Sequence, residues 1–397
     1  MLKRVSAGCA AVMAMIGCAG PVAVYPELSS LQVESERIKV QKEIIERYLT
    51  QQDRVDRIAW PVLRENTSLC RKFTKASYGL KFGNAGILKD RIDGLTLKQI
   101  KEAGFSEAPF VMNVPETGPA GRAGIKRGMQ IVSVDGVLLK QDIDILRKTL
   151  EARELAHEDF GDLPPMKLEV SDGETVKEVA ISAERVCASE IFVANTNDVN
   201  ATAGTENITI FVGLLDRMAD DNNVAMVIGH ELAHIAGNHV RKTVANSTRS
   251  GYVLWGVPLQ AGASFVDLVI GAPIEAISGV ETDPGGALVT RLNNSILRTQ
   301  DFEREADYVG LYMASRAGYD ISDAEETFRL LSQIRPSSTY GERSHPTTPE
   351  RIASIATTRL EIAEKRSKGE RIVPYGWPVF KDENPDAYQE AVDASEN

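Results

Sequence analysis

The chain has 397 residues, of which 43% are hydrophobic and 25% are charged, and this composition is typical of an ordinary globular protein. Its formal net charge of −11 argues against a nucleic-acid-binding protein, because such proteins carry a basic stripe. The length is sufficient for two or three domains with separate hydrophobic cores.

The N-terminus has the pattern of an export signal. A basic start, "MLKR", precedes the apolar run "VSAGCAAVMAMIG", which is too short to span a membrane as a mature helix. The run closes on "MIGC", which resembles a lipobox and implies removal of residues 1–17 and lipidation of Cys18. A plain secretory signal is the alternative. Because Ala19 and not aspartate follows the cysteine, we predict an outer-membrane lipid anchor on the periplasmic side of a Gram-negative envelope.

Export also changes the expected state of the cysteines. Cys9 leaves with the signal and Cys18 carries lipid, so Cys70 and Cys187 remain as an even pair. An oxidising compartment favours a disulfide between them, and two buried free thiols are the alternative.

Residues 18–66 are predicted to form an N-terminal helical segment. Apolar residues recur at spacings of three, four and seven over 27–64, with charged residues of both signs between them. This pattern predicts one long helix or two helices that pack on a core, with a break or kink at Pro61.

Residues 70–186 have the short apolar runs and glycine-rich turns of a β-rich domain. At its centre, "TGPAGRAGIKRGMQIVSVDG" (117–136) resembles a PDZ domain of the bacterial HtrA type. The resemblance implies a short helix, a turn and a strand here, and a longer helix at 145–152. PDZ domains add an extended peptide to a sheet edge and hold its terminal carboxylate. We assign residues 78–82 as the carboxylate loop; a spacer that binds no ligand is the alternative.

The stretch "VAMVIGHELAHIAGNHV" (224–240) holds three of the five histidines of the chain. His230 and His234 are four residues apart, so they project from one face of a helix and their rings can reach one ion. Glu231 between them completes an H-E-x-x-H pattern. Neutral imidazoles are suitable zinc ligands, and this glutamate is left free to act as a base.

Two schemes compete for the third ligand. A metzincin would place a histidine where Val240 stands, whereas His239 comes one residue too early and lies on the opposite side of an uninterrupted helix. We therefore interpret His239 as structural. In the other scheme the helix predicted over 299–320 contains "EREAD", in which Glu303 binds zinc and Asp307 orients a ligand histidine by a hydrogen bond.

Five motifs in order over 187–360 together resemble the zinc metallopeptidase family M48, which includes HtpX and the CAAX prenyl endopeptidases: "NDVNATA", "GLL", "HELAH…NH", "EREAD…G" and "SHPTTPERI". The resemblance implies one Zn²⁺ per chain, three ligands, a general base and two residues beside the substrate cleft, in this order: His230, His234, Glu303, Glu231, Asn200 and Ala201.

The motif "SHPTTPERI" contributes two further candidates. We predict that His345 donates to the oxyanion of the reaction or, alternatively, acts as a fourth metal ligand that silences the site. Arg351 is predicted to line the substrate cleft. A purely structural turn before a helix at 347–366 would also explain both residues.

Two segments carry no motif. The stretch 251–280 is apolar but broken by charges and prolines, so a mobile lid that touches lipid or substrate, membrane-surface contact and ordinary core all remain open. The acidic tail, 367–397, is expected to carry no chemistry.

These expectations describe an α+β protein in which a mainly helical, gluzincin-type peptidase domain with a small sheet occupies 187–366 and a PDZ-like domain is inserted before it. The predicted function is a zinc endopeptidase that cleaves misfolded or envelope proteins, with the PDZ-like domain recruiting or gating substrate. The alternative is an envelope scaffold or chaperone whose site is silenced. A prenyl-peptide endopeptidase is disfavoured, since this chain does not show the multiple spanning helices of that branch.

Overall fold

The structure is a computed structural model that describes residues 28–70, 73–155, 163–243, 287–334 and 349–379. Four of the features predicted from sequence fall wholly or mostly outside these residues. They are Cys18 with its signal, the apolar segment 251–280, His345, and the acidic tail beyond residue 379.

The described residues contain both helices and strands. The helices are α1 (Ser30–Glu65), α2 (Ala85–Arg91), α3 (Leu97–Glu102), α4 (Pro119–Arg122), α5 (Ile143–Leu155), α6 (Val212–Leu215), α7 (Asp221–Ala236), α8 (Ala287–Arg316), α9 (Ala324–Ile334) and α10 (Pro349–Ser367). The strands are β1 (Thr74–Ser77), β2 (Lys81–Gly83), β3 (Phe110–Asn113), β4 (Gln130–Val134), β5 (Val137–Leu138), β6 (Met166–Ser171), β7 (Val176–Ile181), β8 (Glu184–Cys187), β9 (Glu190–Ala194), β10 (Ala201–Ala203) and β11 (Asn207–Phe211).

The long helix α1 begins at a reciprocal cap, in which Ser29 accepts a hydrogen bond from the backbone of Gln32 and the Gln32 side chain accepts one from the backbone of Ser29. The predicted break at Pro61 is wrong, because α1 continues through it to Glu65. Proline removes one backbone hydrogen bond of the helix. Nearby, the hydroxyl of Tyr319 donates to the carbonyl oxygen of Ile58, and burial of the helix against its neighbours outweighs the lost bond.

The strands form three separate sheets. The largest has the order β2-β3-β4-β6-β7 with β5 paired to β4, and all its pairings are antiparallel. A three-stranded sheet has the order β10-β11-β9, in which β11 pairs parallel to β9 and antiparallel to β10. Strands β1 and β8 form a two-stranded antiparallel ribbon between these sheets along the chain.

Two large clusters of buried hydrophobic residues form two separate cores. The first is built from α1, the three-stranded sheet, α7 and α8, and α2 and α3 also pack on it. The second lies within residues 78–181, between the large sheet and α5. The short helix, turn and strand predicted from the PDZ-like motif are present as α4, Gly124 in a left-handed conformation (φ +80°) and β4.

The predicted disulfide joins Cys70 to Cys187, whose Cα atoms are 5.7 Å apart. Cys187 ends β8 and pairs with Thr74 at the start of β1, so the bond lies at the base of the β1–β8 ribbon. The two ends of the second core therefore leave and rejoin the first core at one place.

Two glycines let α7 and α8 approach backbone to backbone. A Cβ at Gly310 would lie 2.6 Å from the backbone nitrogen of His230, and a Cβ at Gly229 would lie 2.5 Å from the carbonyl oxygen of Gly310. No larger residue fits at this crossing without moving a helix. The contact places the face of α8 that carries Glu303 directly against the histidine-bearing face of α7.

The architecture is α+β, as predicted, with long helices and small sheets. Among the helices of the described residues, none is both long and apolar enough to cross a bilayer.

Candidate metal centre

Helix α7 positions both candidate histidines. It begins at Asp220, whose side chain accepts a hydrogen bond from the backbone of Asn222, and every residue from Val224 to Ala236 is buried. His230 and His234 lie one turn apart with ring centroids 4.7 Å from each other. The apolar residues around them exclude water, which strengthens any charge interaction within the site.

Helix α8 brings Glu303 to the same point. The Nε2 atoms of His230 and His234 are 3.1 Å apart, and they lie 3.5 Å and 3.3 Å from the two carboxylate oxygens of Glu303. Ligands about 2.0–2.1 Å from a tetrahedral zinc ion are separated by about 3.3 Å. The two imidazole nitrogens and the Glu303 carboxylate are therefore close enough to bind one ion, and the three residues form a group that could hold a metal.

Glu231 lies beside these ligands and is itself 2% exposed. Its Oε2 atom has no hydrogen-bond partner among the described residues. A buried carboxylate oxygen is costly without a partner, and such an orphan marks a place where a water or a ligand is expected. The donor set and this orphan both fit a hydrated divalent cation.

Asp307 contacts the far side of the His230 ring. Its Oδ1 atom lies 2.9 Å from Nδ1 of His230, one helical turn beyond Glu303. Such a carboxylate fixes the orientation and tautomer of a ligand imidazole.

Arg351, at the start of α10, is buried against the same carboxylates. Its Nε and Nη2 atoms donate to the two oxygens of Asp307 at 2.7 Å, and its Nη1 atom lies 3.0 Å from Glu303 Oε2. The guanidinium of Arg351 thus contacts these two carboxylates, and its predicted place in the substrate cleft stays a prediction. The sequence gives no signal for this contact, because it joins two helices separated by more than thirty residues.

The two histidines have opposite proton affinities in the metal-free site. Burial lowers the pKa of His234 to about 3, so this ring is neutral at physiological pH. Burial also disfavours a charge on His230, but the carboxylates of Asp307 and Glu303 outweigh it and raise its pKa to about 10. A metal must therefore displace a proton from His230 when it binds.

His239 lies outside the group of candidate ligands, and sequence reasoning missed its contact with the site. Its Nδ1 atom lies 3.0 Å from Nδ1 of His234, and its Nε2 atom lies 2.7 Å from Oε2 of Glu305. The available signal was the Gly237–Asn238 pair, which is typical of a helix end and allows the chain to turn back.

The remaining predicted cleft residues are near α7. Asn200 precedes β10, its carbonyl oxygen accepts from the backbone of Phe211, and Ala201 begins β10. Strand β10 packs against α7 and is an edge strand of the three-stranded sheet. His345 lies outside the described residues.

A separate cleft of about 780 Å³ lies between the two cores. On one side it is lined by the predicted carboxylate loop, 78–82, and by Leu150 of α5. On the other side it is lined by Trp60 of α1 and Phe192 of β9. Strand β2 begins within the loop and is an edge strand of the large sheet, so its free edge borders this cleft.

Comparison with known proteins gives one family match. Residues 173–359 match the model of "Peptidase family M48". The beta-barrel assembly-enhancing protease of Escherichia coli is 28% identical over 167 residues, which are 41% of this chain and 32% of that protein. The metalloprotease LoiP of Escherichia coli is 29% identical over 162 residues, 40% of this chain and 58% of that protein.

The chain thus spans between about a third and somewhat over half of these relatives. Among solved structures, a PDZ domain of HtrA3 bound to a phage-derived ligand is 25% identical over 28% of this chain and 88% of that chain. Its TM-score is 0.20, which is too low to establish a shared fold, so the PDZ-like assignment stays a prediction.

Proposed function

Because residues 173–359 belong to peptidase family M48, we propose that this protein is a zinc-dependent endopeptidase of the bacterial cell envelope. One observation carries the proposal. The Nε2 atoms of two histidines and the carboxylate oxygens of Glu303 converge at separations of 3.1–3.5 Å, with the unpartnered Oε2 atom of Glu231 beside them.

The choice of zinc follows from the donors. Two imidazoles and one carboxylate, with a fourth position left for water, are the ligand set of catalytic zinc in peptidases. A zinc ion held there would supply a polarised water that loses its proton near neutral pH. His230, His234 and Glu303 hold the ion, and Asp307 keeps Nε2 of His230 directed at it.

Glu231 is the general base in this proposal. Its Oε2 atom accepts a proton from the attacking water and then passes it to the amine that leaves the cleaved peptide bond. The surrounding buried residues of α7 exclude bulk water, so the carboxylate is not masked by solvent.

The substrate is proposed to bind as an extended strand along β10. Strand β10 is an edge strand of its sheet and packs against α7. Asn200 and Ala201 lie at its start. An extended peptide can add to such an edge through backbone hydrogen bonds, which gives affinity with little dependence on side chains. Unfolded polypeptides, such as misfolded envelope proteins, fit this mode of recognition.

The PDZ-like part is proposed to recruit or gate that substrate. The support is the cleft between the cores, where the 78–82 loop, the β2 edge and α5 form one wall. A peptide end held there would contact the peptidase core on the opposite wall.

The envelope location is proposed from the signal sequence together with the relatives. The "MIGC" motif implies a lipid on Cys18, and a metalloprotease of E. coli and its beta-barrel assembly-enhancing protease are among the relatives. Metabolic labelling with an azido-palmitate would test the anchor, since a Cys18→Ser variant should lose the label.

The catalytic proposal is tested by cleavage of casein with purified protein. Glu231→Gln should lower the rate by about 10²–10⁴-fold, because the general base is lost. The variant should still hold one zinc per chain, since Glu231 is not a ligand. Glu326→Gln, on the exposed surface of α9, is the matched control and should cleave at the wild-type rate. Undiminished cleavage by Glu231→Gln, or a wild-type protein without stoichiometric metal, would contradict the proposal.

A further inference from the structure

His239 reaches the metal site because α7 ends just before it. The helix stops at Ala236, Gly237 caps it, and Asn238 adopts a left-handed conformation with φ +56°. Helical structure resumes at His239, so the chain makes a sharp turn and the His239 ring folds back over the last turn of α7. On a continuous helix this ring would have faced away from His230.

The turn is shaped to admit the ring. A Cβ at Gly237 would lie 2.2 Å from Nε2 of His239, so only glycine leaves room for the imidazole. The ring is 2% exposed and stacks on Phe302 of α8 with centroids 4.6 Å apart and planes 16° apart. Packing on both sides therefore holds the imidazole in a single orientation.

Both ring nitrogens of His239 have polar neighbours. Nδ1 lies 3.0 Å from Nδ1 of His234, and Nε2 lies 2.7 Å from the carboxylate of Glu305. Glu305 stands between Glu303 and Asp307 on α8, and its side chain is 41% exposed. These two contacts connect Glu305, at the protein surface, through His239 to Nδ1 of His234. The other ring nitrogen of His234, Nε2, faces Glu303.

The tautomers along this chain follow from the proposed metal site. A ring that binds an ion through Nε2 and is neutral carries its proton on Nδ1. Nδ1–H of His234 then donates to Nδ1 of His239, which must be unprotonated. His239 in turn carries its proton on Nε2 and donates it to Glu305. Every donor meets an acceptor in this arrangement. No other pair of neutral tautomers of His234 and His239 does so when His234 binds the ion through Nε2.

We propose that His239 and Glu305 are positioning residues that hold His234 in the tautomer and orientation needed to bind the metal. The inference rests on the proposed function. His230 is held directly by the carboxylate of Asp307, whereas His234 is held by a carboxylate acting through an intervening imidazole. Outer hydrogen-bond partners of this kind typically change metal affinity by 10–100-fold when they are removed.

The test is the zinc affinity of folded, metal-free protein, measured by competition with a chromophoric chelator. His239→Ala should weaken zinc binding by about 10–100-fold. His239→Asn should bind zinc close to the wild-type level, because the Asn amide oxygen takes the place of Nδ1 as an acceptor. Glu305→Gln should also remain near wild type, since its amide oxygen accepts from Nε2–H, whereas Glu305→Leu should weaken binding.

A packing control separates positioning from folding. Phe302→Leu removes the stacked ring but leaves the hydrogen-bond chain, so it should lower the melting temperature of the apo protein more than it lowers zinc affinity. The Co²⁺-substituted protein gives a second readout, because the visible bands of His239→Ala should shift from those of wild type and those of His239→Asn should not.

Two results would overturn the inference. One is a folded His239→Ala protein that binds zinc as tightly as wild type, and the other is His239→Asn binding as weakly as His239→Ala. A wild-type protein that holds no stoichiometric zinc would overturn the proposed function itself, so the two failures are distinguishable.

Discussion

Four charged side chains meet at the metal centre in a space with almost no exposure to water. Glu231, Glu303 and Asp307 carry three negative charges, and Arg351 neutralises one of them. Two negative charges remain, which is the charge that one divalent cation balances when both histidines are neutral. Buried charges are tolerated only when they are paired. A divalent ion would balance this charge, and in the metal-free site a proton on His230 balances part of it.

Arg351 is predicted to be essential for stability because its buried guanidinium contacts both Asp307 and Glu303. Arg351→Met should destabilise the metal-free protein by about 3–5 kcal/mol, since it removes the guanidinium that pairs with two buried carboxylates. Urea unfolding followed by circular dichroism measures this loss.

Arg359 on the same helix provides the control for that prediction. It pairs with Glu325, and its side chain is 30% exposed. Arg359→Met should cost at most about 1 kcal/mol, as exposed ion pairs contribute little. An equal loss of unfolding free energy in the two variants would show that the buried contacts of Arg351 with Asp307 and Glu303 stabilise the protein no more than a partly exposed ion pair does.

At the scale of elements, the crossing of α7 and α8 sets the distance between the histidines and Glu303. Gly310→Ala would place a methyl group 2.6 Å from the backbone nitrogen of His230, and the helices would have to separate. We expect a loss of about 1–3 kcal/mol in stability together with weaker zinc binding. Both quantities are measurable on the purified variant.

Gly86→Ala in α2 is the matched control for this helix glycine. The nearest atom to its added methyl group is the side-chain oxygen of Asn84 at 3.3 Å, and zinc binding should not change. If Gly310→Ala bound zinc as tightly as wild type, the glycine contact would not determine the geometry of the site.

The contact between α1 and α7 predicts a pH dependence of stability. Burial would raise the pKa of Asp221, but hydrogen bonds from Arg54 and Arg57 on α1 outweigh it and lower the pKa below its ordinary value. A group whose pKa is lower in the folded state stabilises the protein above its unfolded pKa, and this contribution is lost as the pH falls through the folded value.

Asp221→Asn should therefore be less stable than wild type by about 0.5–1 kcal/mol above about pH 5, and the difference should shrink below about pH 4. Chemical denaturation at a series of pH values measures it. Asp90→Asn, at an exposed carboxylate, should follow the wild-type curve at all these pH values. A difference between wild type and Asp221→Asn that grew toward acid pH would contradict the sign of the shift.

The elements show how far the sequence could lead. The histidine pair was predictable because a spacing of four residues on one helix is a local property. Glu303 was one of two competing third-ligand schemes, and the resemblance to a family decided between them, since its approach depends on how α7 and α8 cross. The return of His239 depends on one left-handed residue, Asn238, and the burial of Arg351 on contacts between distant helices. Neither can be derived from periodicity.

At the scale of the whole molecule, the disulfide closes a loop with a sequence separation of 117 residues. The chain-entropy model gives up to about 4.7 kcal/mol for a loop of roughly this length. The β1–β8 ribbon already holds the ends together, so we expect the double variant Cys70→Ala/Cys187→Ala to lose about 2–4 kcal/mol.

The measurement is the urea midpoint of wild type with and without reductant. Reductant should lower the midpoint of wild type and leave that of the double variant unchanged. A midpoint of wild type that does not respond to complete reduction would show that the bond contributes no stability.

The placement of α1 in the first core has a consequence for biosynthesis. On the proposed export route this helix reaches the periplasm well before α7, α8 and the three-stranded sheet, because the whole second core lies between them in the sequence. Its apolar face is left without native partners while the part of the chain that forms the second core folds. A chain in this state is a natural client for a periplasmic holding chaperone, and crosslinking from α1 during export should capture such a factor until α8 has been translocated.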